Sequence, residues 1–247
     1  MSLWTDFQAD ISGMHPQVPV ASVLYSTNIS LRYNYIYVET PKCACSAIKL
    51  ALQRLELRNP EFNWQQFDDL HNRDYSPLLN PRQVGSFRKL VNDPAMFKFC
   101  FVRNPFTRLL SCYLDKIQRN LPQKIMILRQ LGLAEDRLDA PLTFEQFVRA
   151  VVDQPVPLMD AHWRTQYFQT MQAGIKYDFV GRFENFAEDA RVLDERISAQ
   201  FTACLGPEIR NATAAGAKSR EYLTAELQDA IYRKFRVDFE HFGYAFP

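Results

Sequence analysis

The stretch Tyr33-Asn34-Tyr35-Ile36-Tyr37-Val38-Glu39-Thr40-Pro41-Lys42-Cys43-Ala44-Cys45-Ser46-Ala47-Ile48-Lys49 decides the fold. Its first part, Tyr33–Glu39, is rich in aromatic and β-branched residues and predicts a strand. A helix follows from near Ser46, with Ile48, Ala51, Leu52 and Leu55 at helical spacing on its apolar face. A turn from strand to helix leaves backbone N–H groups unpaired, with the positive end of the helix dipole behind them. That arrangement cradles phosphate or sulfate. Lys42 enters the loop, and Ser46 can cap the helix or give its hydroxyl to an oxyanion. Lys49 serves the anion or is only a solvated face residue. The pattern lacks the glycines and terminal Lys-Ser/Thr of an ATP or GTP phosphate loop.

The same order recurs downstream. Phe97-Lys98-Phe99-Cys100-Phe101-Val102 is a nearly continuous apolar run, as in a buried parallel strand. Arg103 follows it, Asn104 suits a helix N-cap, and Pro105 suits the first helical position. Leu109, Leu110, Tyr113, Leu114 and Ile117 mark the next helix. Arg103 can grip a phosphate bidentately, and Ser111 can add a hydroxyl donor. Arg108 is read as a surface ion-pair residue. A third strand is expected over Tyr177–Phe183, with helices around Phe144–Val152, Leu158–Gln172 and Thr224–Phe235. Strands alternating with helices imply an α/β fold, with a mainly parallel central sheet flanked by helices. Ligands of such sheets bind beyond the carboxyl ends of the strands, where both turns lie.

Bulk composition sets the limits. The 247 residues can bury a substantial core, and 47% hydrophobic with 23% charged residues is ordinary for a soluble globular chain. A formal net charge of +1 argues against a general nucleic-acid or membrane binder, so an anion site must be local. Residues 1–30 read as an irregular leader and residues 31–247 as one domain. No signal peptide or apolar membrane span is evident. The five cysteines, Cys43, Cys45, Cys100, Cys112 and Cys204, have no framework spacing, and nothing completes a zinc site around Cys43 and Cys45. A reducing cytoplasm is the simplest home; a lumenal catalytic domain separated from its anchor is the alternative.

Together the two turns resemble the phosphosulfate-binding motifs of the sulfotransferase superfamily. Thr40–Lys49 resembles the 5′-phosphosulfate loop and Phe101–Tyr113 the 3′-phosphate motif. The branch most resembled is the membrane-type carbohydrate sulfotransferases, which include chondroitin, dermatan and HNK-1 enzymes and bacterial relatives. His162-Trp163-Arg164-Thr165-Gln166, Tyr177–Glu184 and Asp238–Tyr244 match that branch in order. The resemblance runs from roughly residue 33 onward and implies a P-loop-kinase-like sulfotransferase fold.

It also implies 3′-phosphoadenosine 5′-phosphosulfate (PAPS) as cosubstrate, with no metal required, and an acceptor hydroxyl on a saccharide. Lys42 would touch the transferring sulfuryl group. Backbone amides around Cys43, Ala44, Cys45, Ser46 and Ala47, with the Ser46 hydroxyl, would hold the 5′-phosphate. Arg103 and Ser111 would hold the 3′-phosphate, and a basic segment near Lys218 and Arg220 would close over the nucleotide. Ala44 stands where many relatives have glycine, so the loop is expected to avoid a backbone angle that only glycine adopts. The superfamily's general base usually lies between the two motifs, where His71 is the only histidine. His162, Asp69 and Asp74 are alternatives. A kinase-like phosphotransferase and a non-catalytic nucleotide-binding module are the rival readings.

Overall fold

The computed structural model describes residues 10–11, 18–206 and 215–246. Along the chain, α1 (Val20–Ser26) leads into strands β1 (Thr27–Ser30) and β2 (Tyr35–Val38). Next come α2 (Cys45–Leu57), α3 (Phe87–Val91), β3 (Phe97–Val102), α4 (Pro105–Cys112), α5 (Lys124–Gln130) and α6 (Phe144–Val152). Then follow β4 (Phe179–Arg182), α7 (Phe186–Arg196), α8 (Phe201–Cys204), α9 (Ala215–Tyr222) and α10 (Ala225–Phe242). The chain forms two compact units, residues 1–102 with 168–211, and residues 103–167 with 212–247.

The first unit carries a four-stranded sheet in the order β1-β2-β3-β4. β1 is antiparallel to β2, whereas β2, β3 and β4 run parallel. The expected α/β architecture with a mainly parallel sheet is therefore observed. Every residue of β2 and β3 is buried, because helices cover both faces. Side chains alternate across the sheet. Tyr35, Tyr37, Phe97, Phe99 and Phe101 pack with Ile48, Leu52, Phe186, Leu193 and Phe201 of α2, α7 and α8. Ile36 and Val38 face the other way, toward Ile29, Phe87 and Val91. Register seats Tyr37 opposite Phe99, and their rings stack with centroids 4.9 Å apart.

In the second unit α4, α6 and α10 bury Leu109, Leu110, Tyr113, Phe147, Val148, Ile231, Phe235 and Phe239 around Trp163. Asn104 caps α4 as expected, accepting from the Phe106 N–H at 3.0 Å with Pro105 in the first turn. α6 is found where the apolar spacing predicted it, with Thr143 and Gln146 closing a capping box. α10 outruns its expected end near Phe235. A local break there (φ −101°, ψ 18°) lets the helix continue to Phe242, where Gly243 turns left-handed at φ 65°.

Two expectations need correction. Residues 20–30 are a helix and an edge strand, not an irregular leader; residues 1–9 and 12–17 lie outside the described residues. Leu158–Gln172 is not one helix: only Gln166–Gln169 makes an α-turn, because side chains elsewhere have taken its backbone groups. Arg108 and Arg164 capture the carbonyls of Arg164, Ala161 and Met159, and Asp238 accepts from the amides of Gln166 and Tyr167. Lys124 is buried on the carbonyls of Leu138 and Ala140 and the Asn120 amide oxygen. Among the described residues no helix is long and apolar enough to cross a membrane.

One packing contact gives a stability test. A Cβ on Gly181 of β4 would stand 2.4 Å from the Phe101 ring. Gly181→Ala should therefore cost about 1–3 kcal/mol as the ring is displaced. A thermal melt unchanged from the parent would show that the ring yields without cost.

Candidate active site

The strand-to-helix turn after β2 carries the first group of expected site residues. Lys42 (φ 71°) and Ala44 (φ 60°, ψ 20°) are both left-handed. The loop thus enters the region that glycine favours, contrary to expectation, at roughly 1–2 kcal/mol for each side chain. Ala44 occupies the N-cap of α2 and makes no side-chain cap. Ser46 is not the cap either, so the first N–H groups of α2 lack the partner that Ser or Asp at the N-cap would give them. Cys43 turns into the core, while Lys42, Ala44, Cys45, Ser46 and Ala47 remain partly exposed. A turn of left-handed residues opening on a helix N-terminus is a nest for an anion.

Lys49, offered either to the anion or to solvent, does neither. It is fully buried and pairs with Glu39 at 2.6 Å. Its Nζ also lies 3.3 Å from His71 Nδ1, and His71 Nε2 lies 3.1 Å from Ser46 Oγ. The structure therefore brings His71 to the loop. The 3-10 turn Phe67–His71 is held by Gln53, which donates to the Leu70 carbonyl at 3.4 Å. Just beyond it, Arg73 donates to Asn28 Oδ1 at 2.5 Å and to the Thr27 carbonyl at 3.2 Å. Burial pushes the Cys45 thiol up, with the Glu39 charge adding to the effect. Among the described residues no three His, Cys, Asp or Glu side chains gather as a metal site.

The second group belongs to the other unit. Arg103 and Ser111 are buried, at 3% and 1% exposure, so neither stands at an open rim. Arg103 Nε donates to Thr107 Oγ1 at 3.1 Å. The backbone of Arg103 is clasped twice by Gln166: its N–H donates to Oε1 and its carbonyl accepts from Nε2, each at 2.8 Å. Gln166 is fixed in turn by Asp238, which accepts from the Gln166 and Tyr167 amides at 2.7 and 2.8 Å. Burial pushes the Asp238 carboxyl up to about 6, against the opposing pull of those amides and of Arg108.

Arg108 is no surface ion-pair residue. It is 2% exposed and donates to the carbonyls of Arg164 and Ala161 at 2.7 and 2.9 Å. His162 Nδ1 meets Asp160 Oδ1 at 2.7 Å. Burial raises the Asp160 carboxyl, but the His162 hydrogen bond and charge outweigh it and leave the group below its usual range. Lys218 and Arg220 are exposed on α9, whose Tyr222 packs its ring against Tyr113 and Phe144.

The pattern of the Sulfotransferase family matches residues 25–245, spanning both groups of residues. The chain belongs to this family. Carbohydrate sulfotransferase 14 of Mus musculus is 28% identical over 231 residues, covering 89% of the chain and 60% of that protein. The Danio rerio protein of the same name is 29% identical, covering 87% and 61%. Carbohydrate sulfotransferase 12 of Xenopus laevis is 26% identical, covering 87% and 59%. The chain thus spans about 60% of the length of these relatives. No solved structure matches it significantly.

In this sulfotransferase-family chain, Glu39, Gln166, Asp160 and Asp238 carry contacts that sequence reasoning did not assign. A lone acid ending a buried strand was the available signal for Glu39. Gln166 and Asp238 lay inside the matching segments, but only the fold joins them.

Asp238 yields a pH prediction. Its folded pKa of about 6 lies above the ordinary unfolded value of about 4. Between these values the folded chain keeps a proton that the unfolded chain has released, so stability falls as pH rises through that window, by up to about 3 kcal/mol. Asp238→Asn cannot titrate. Denaturant unfolding of parent and variant should show stability differences that change between about pH 4 and 6; parallel curves would remove Asp238 as the source.

Proposed function

We propose that this chain transfers a sulfuryl group from PAPS to a hydroxyl of a carbohydrate. The observation that carries this is the uncapped, left-handed turn at Lys42–Ser46. The match of residues 25–245 to the sulfotransferase family and the carbohydrate sulfotransferases among its relatives support it. We read residues 31–247 as one functional domain on the same grounds.

The acceptor oxygen attacks sulfur in line; the new O–S bond forms as the bond from sulfur to the phosphate oxygen breaks, and 3′-phosphoadenosine 5′-phosphate (PAP) leaves. As in phosphoryl transfer, the protein's contribution is positioning and charge. Lys42 neutralises the leaving oxygen. The amides of Ala44, Cys45, Ser46 and Ala47, with the Ser46 hydroxyl, hold the 5′-phosphate, whereas the expected Cys43 amide already donates to the Thr40 carbonyl at 3.2 Å. Arg103 and Ser111 hold the 3′-phosphate, and the exposed Lys218 and Arg220 add positive charge toward the nucleotide. We propose that the acceptor's proton goes to His162, the alternative to the His71 expected from the sequence. Its Nδ1 is tied to the Asp160 carboxylate, which fixes the tautomer with the lone pair on Nε2, the arrangement a general base needs.

Calorimetric titration with PAP, ADP and AMP tests the donor. The 3′-phosphate should tighten binding at least tenfold, and Arg103→Ala should lose about 10- to 100-fold for PAP while leaving AMP nearly unchanged. Equal affinity for PAP and AMP in the parent would refute the reading. For the base, His162→Asn keeps a donor to Asp160 but cannot take a proton. It should lower kcat about 10²- to 10⁴-fold with KM for the acceptor little changed. Full turnover in that variant would exclude His162.

A further inference from the structure

We infer that His71 is a positioning residue that aims the Ser46 hydroxyl at the nucleotide's 5′-phosphate, through a relay running Glu39, Lys49, His71, Ser46. The inference rests on the proposed nucleotide site and concerns how that site is held. It also differs from the sequence expectation that His71 takes the acceptor's proton.

The argument begins at the buried end. Glu39 and Lys49 are 2% and 1% exposed and 2.6 Å apart. Two charges taken out of water must satisfy each other, and the carboxylate holds Lys49 as the ammonium. An ammonium has three donors and no acceptor. His71 Nδ1, 3.3 Å from Lys49 Nζ, can therefore only accept from it. A neutral imidazole has one N–H, so the hydrogen sits on Nε2 and donates to Ser46 Oγ at 3.1 Å. Ser46 Oγ then has one of its two lone pairs occupied by the His71 donor and its own hydrogen turned elsewhere. Ser46 lies in the first turn of α2, whose opening N–H groups carry no side-chain cap. A hydroxyl donor fixed there adds to those amides in gripping one oxyanion.

The same geometry explains why His71 is a poor base in this state. The nitrogen facing Ser46 holds a proton to give, not a lone pair to receive one. Nor is His71 a casual loop histidine: Gln53 holds the Leu70 carbonyl before it, and Arg73 anchors the chain after it to β1. Gln53 is itself buried and bonded to the Trp64 indole at 2.8 Å. The ring is thus set from both sides of the backbone and from both nitrogens.

The test compares His71→Ala, His71→Gln, Ser46→Ala and the Ser46→Ala/His71→Ala double variant. Each is titrated with PAP and assayed for turnover. A glutamine amide can stand where Nε2–H stood but cannot accept a proton as a base. Loss of one oriented hydrogen bond to a charged group should weaken PAP about three- to thirtyfold in either alanine variant. The double variant should be no weaker than the worse single, because both remove the same contact. His71→Gln should recover most of the affinity. Ring ¹⁵N shifts of the ligand-free chain, which has four histidines, should show His71 with Nδ1 unprotonated and Nε2 protonated. Unchanged PAP affinity in His71→Ala, additive losses in the double variant, or the opposite tautomer would each overturn the relay. Turnover lost at least a hundredfold in both His71 variants, with affinity intact, would restore His71 as the base. If the parent itself fails to prefer PAP over AMP, the nucleotide site has failed, yet the tautomer measurement still decides the relay.

Discussion

Covering β2 and β3 on both faces is the constraint from which the rest follows. A strand buried on both faces tolerates a polar side chain along its length only where it is paired, as Lys98 of β3 is with Asp178 and the Met96 carbonyl, so most chemistry falls at the carboxyl end. β2 ends in Glu39 and Thr40, β3 in Arg103, and each is followed by a helix. Even at the ends the polar groups are enclosed, and each must find a partner inside the protein. Glu39 finds Lys49, and the Arg103 backbone finds Gln166. Within each unit buried polar groups are thus paired in a chain, although Thr40 Oγ1 has no hydrogen-bond partner among the described residues.

Such chains are expensive to break at one point. Removing either Glu39 or Lys49 alone would strand a buried charge, at about 3–5 kcal/mol. The reward is geometric: a satisfied network admits few alternative arrangements, so Ser46 and Arg103 are held before any ligand arrives. The left-handed turn at Lys42 and Ala44 works in the same direction. Its strain is small against a buried network, and it leads into a helix N-terminus without a side-chain cap.

Local patterns made strands β2, β3 and β4 and both turns legible in the sequence, but not the edge strand β1. The aromatic run before Lys42, the apolar run before Arg103, the Asn104-Pro105 start and the spacing of Phe144–Val152 each report what their own neighbourhood does. What was not legible depended on residues far apart in the chain. Arg108 reads as a surface cation because nothing beside it betrays the carbonyls of Ala161 and Arg164 that it meets. The segment at Leu158–Gln172 has helical spacing, yet tertiary hydrogen bonds from Arg108, Arg164 and Asp238 outcompete the helix. His71 was found by its position between the motifs. Its tautomer could be argued only once Lys49 stood beside it.

The clasp of Gln166 on Arg103 also has a consequence in time. A single side chain supplies the donor and acceptor that a neighbouring strand would supply, and Asp238 holds that side chain's backbone from α10. During synthesis Arg103 leaves the ribosome well before Gln166, and Gln166 well before Asp238. A nascent chain therefore passes through a stage in which the sheet strands β1, β2 and β3 exist while the arginine's backbone is still unheld. The proposed grip on a nucleotide is completed late, so an interrupted chain can own the scaffold without owning the site.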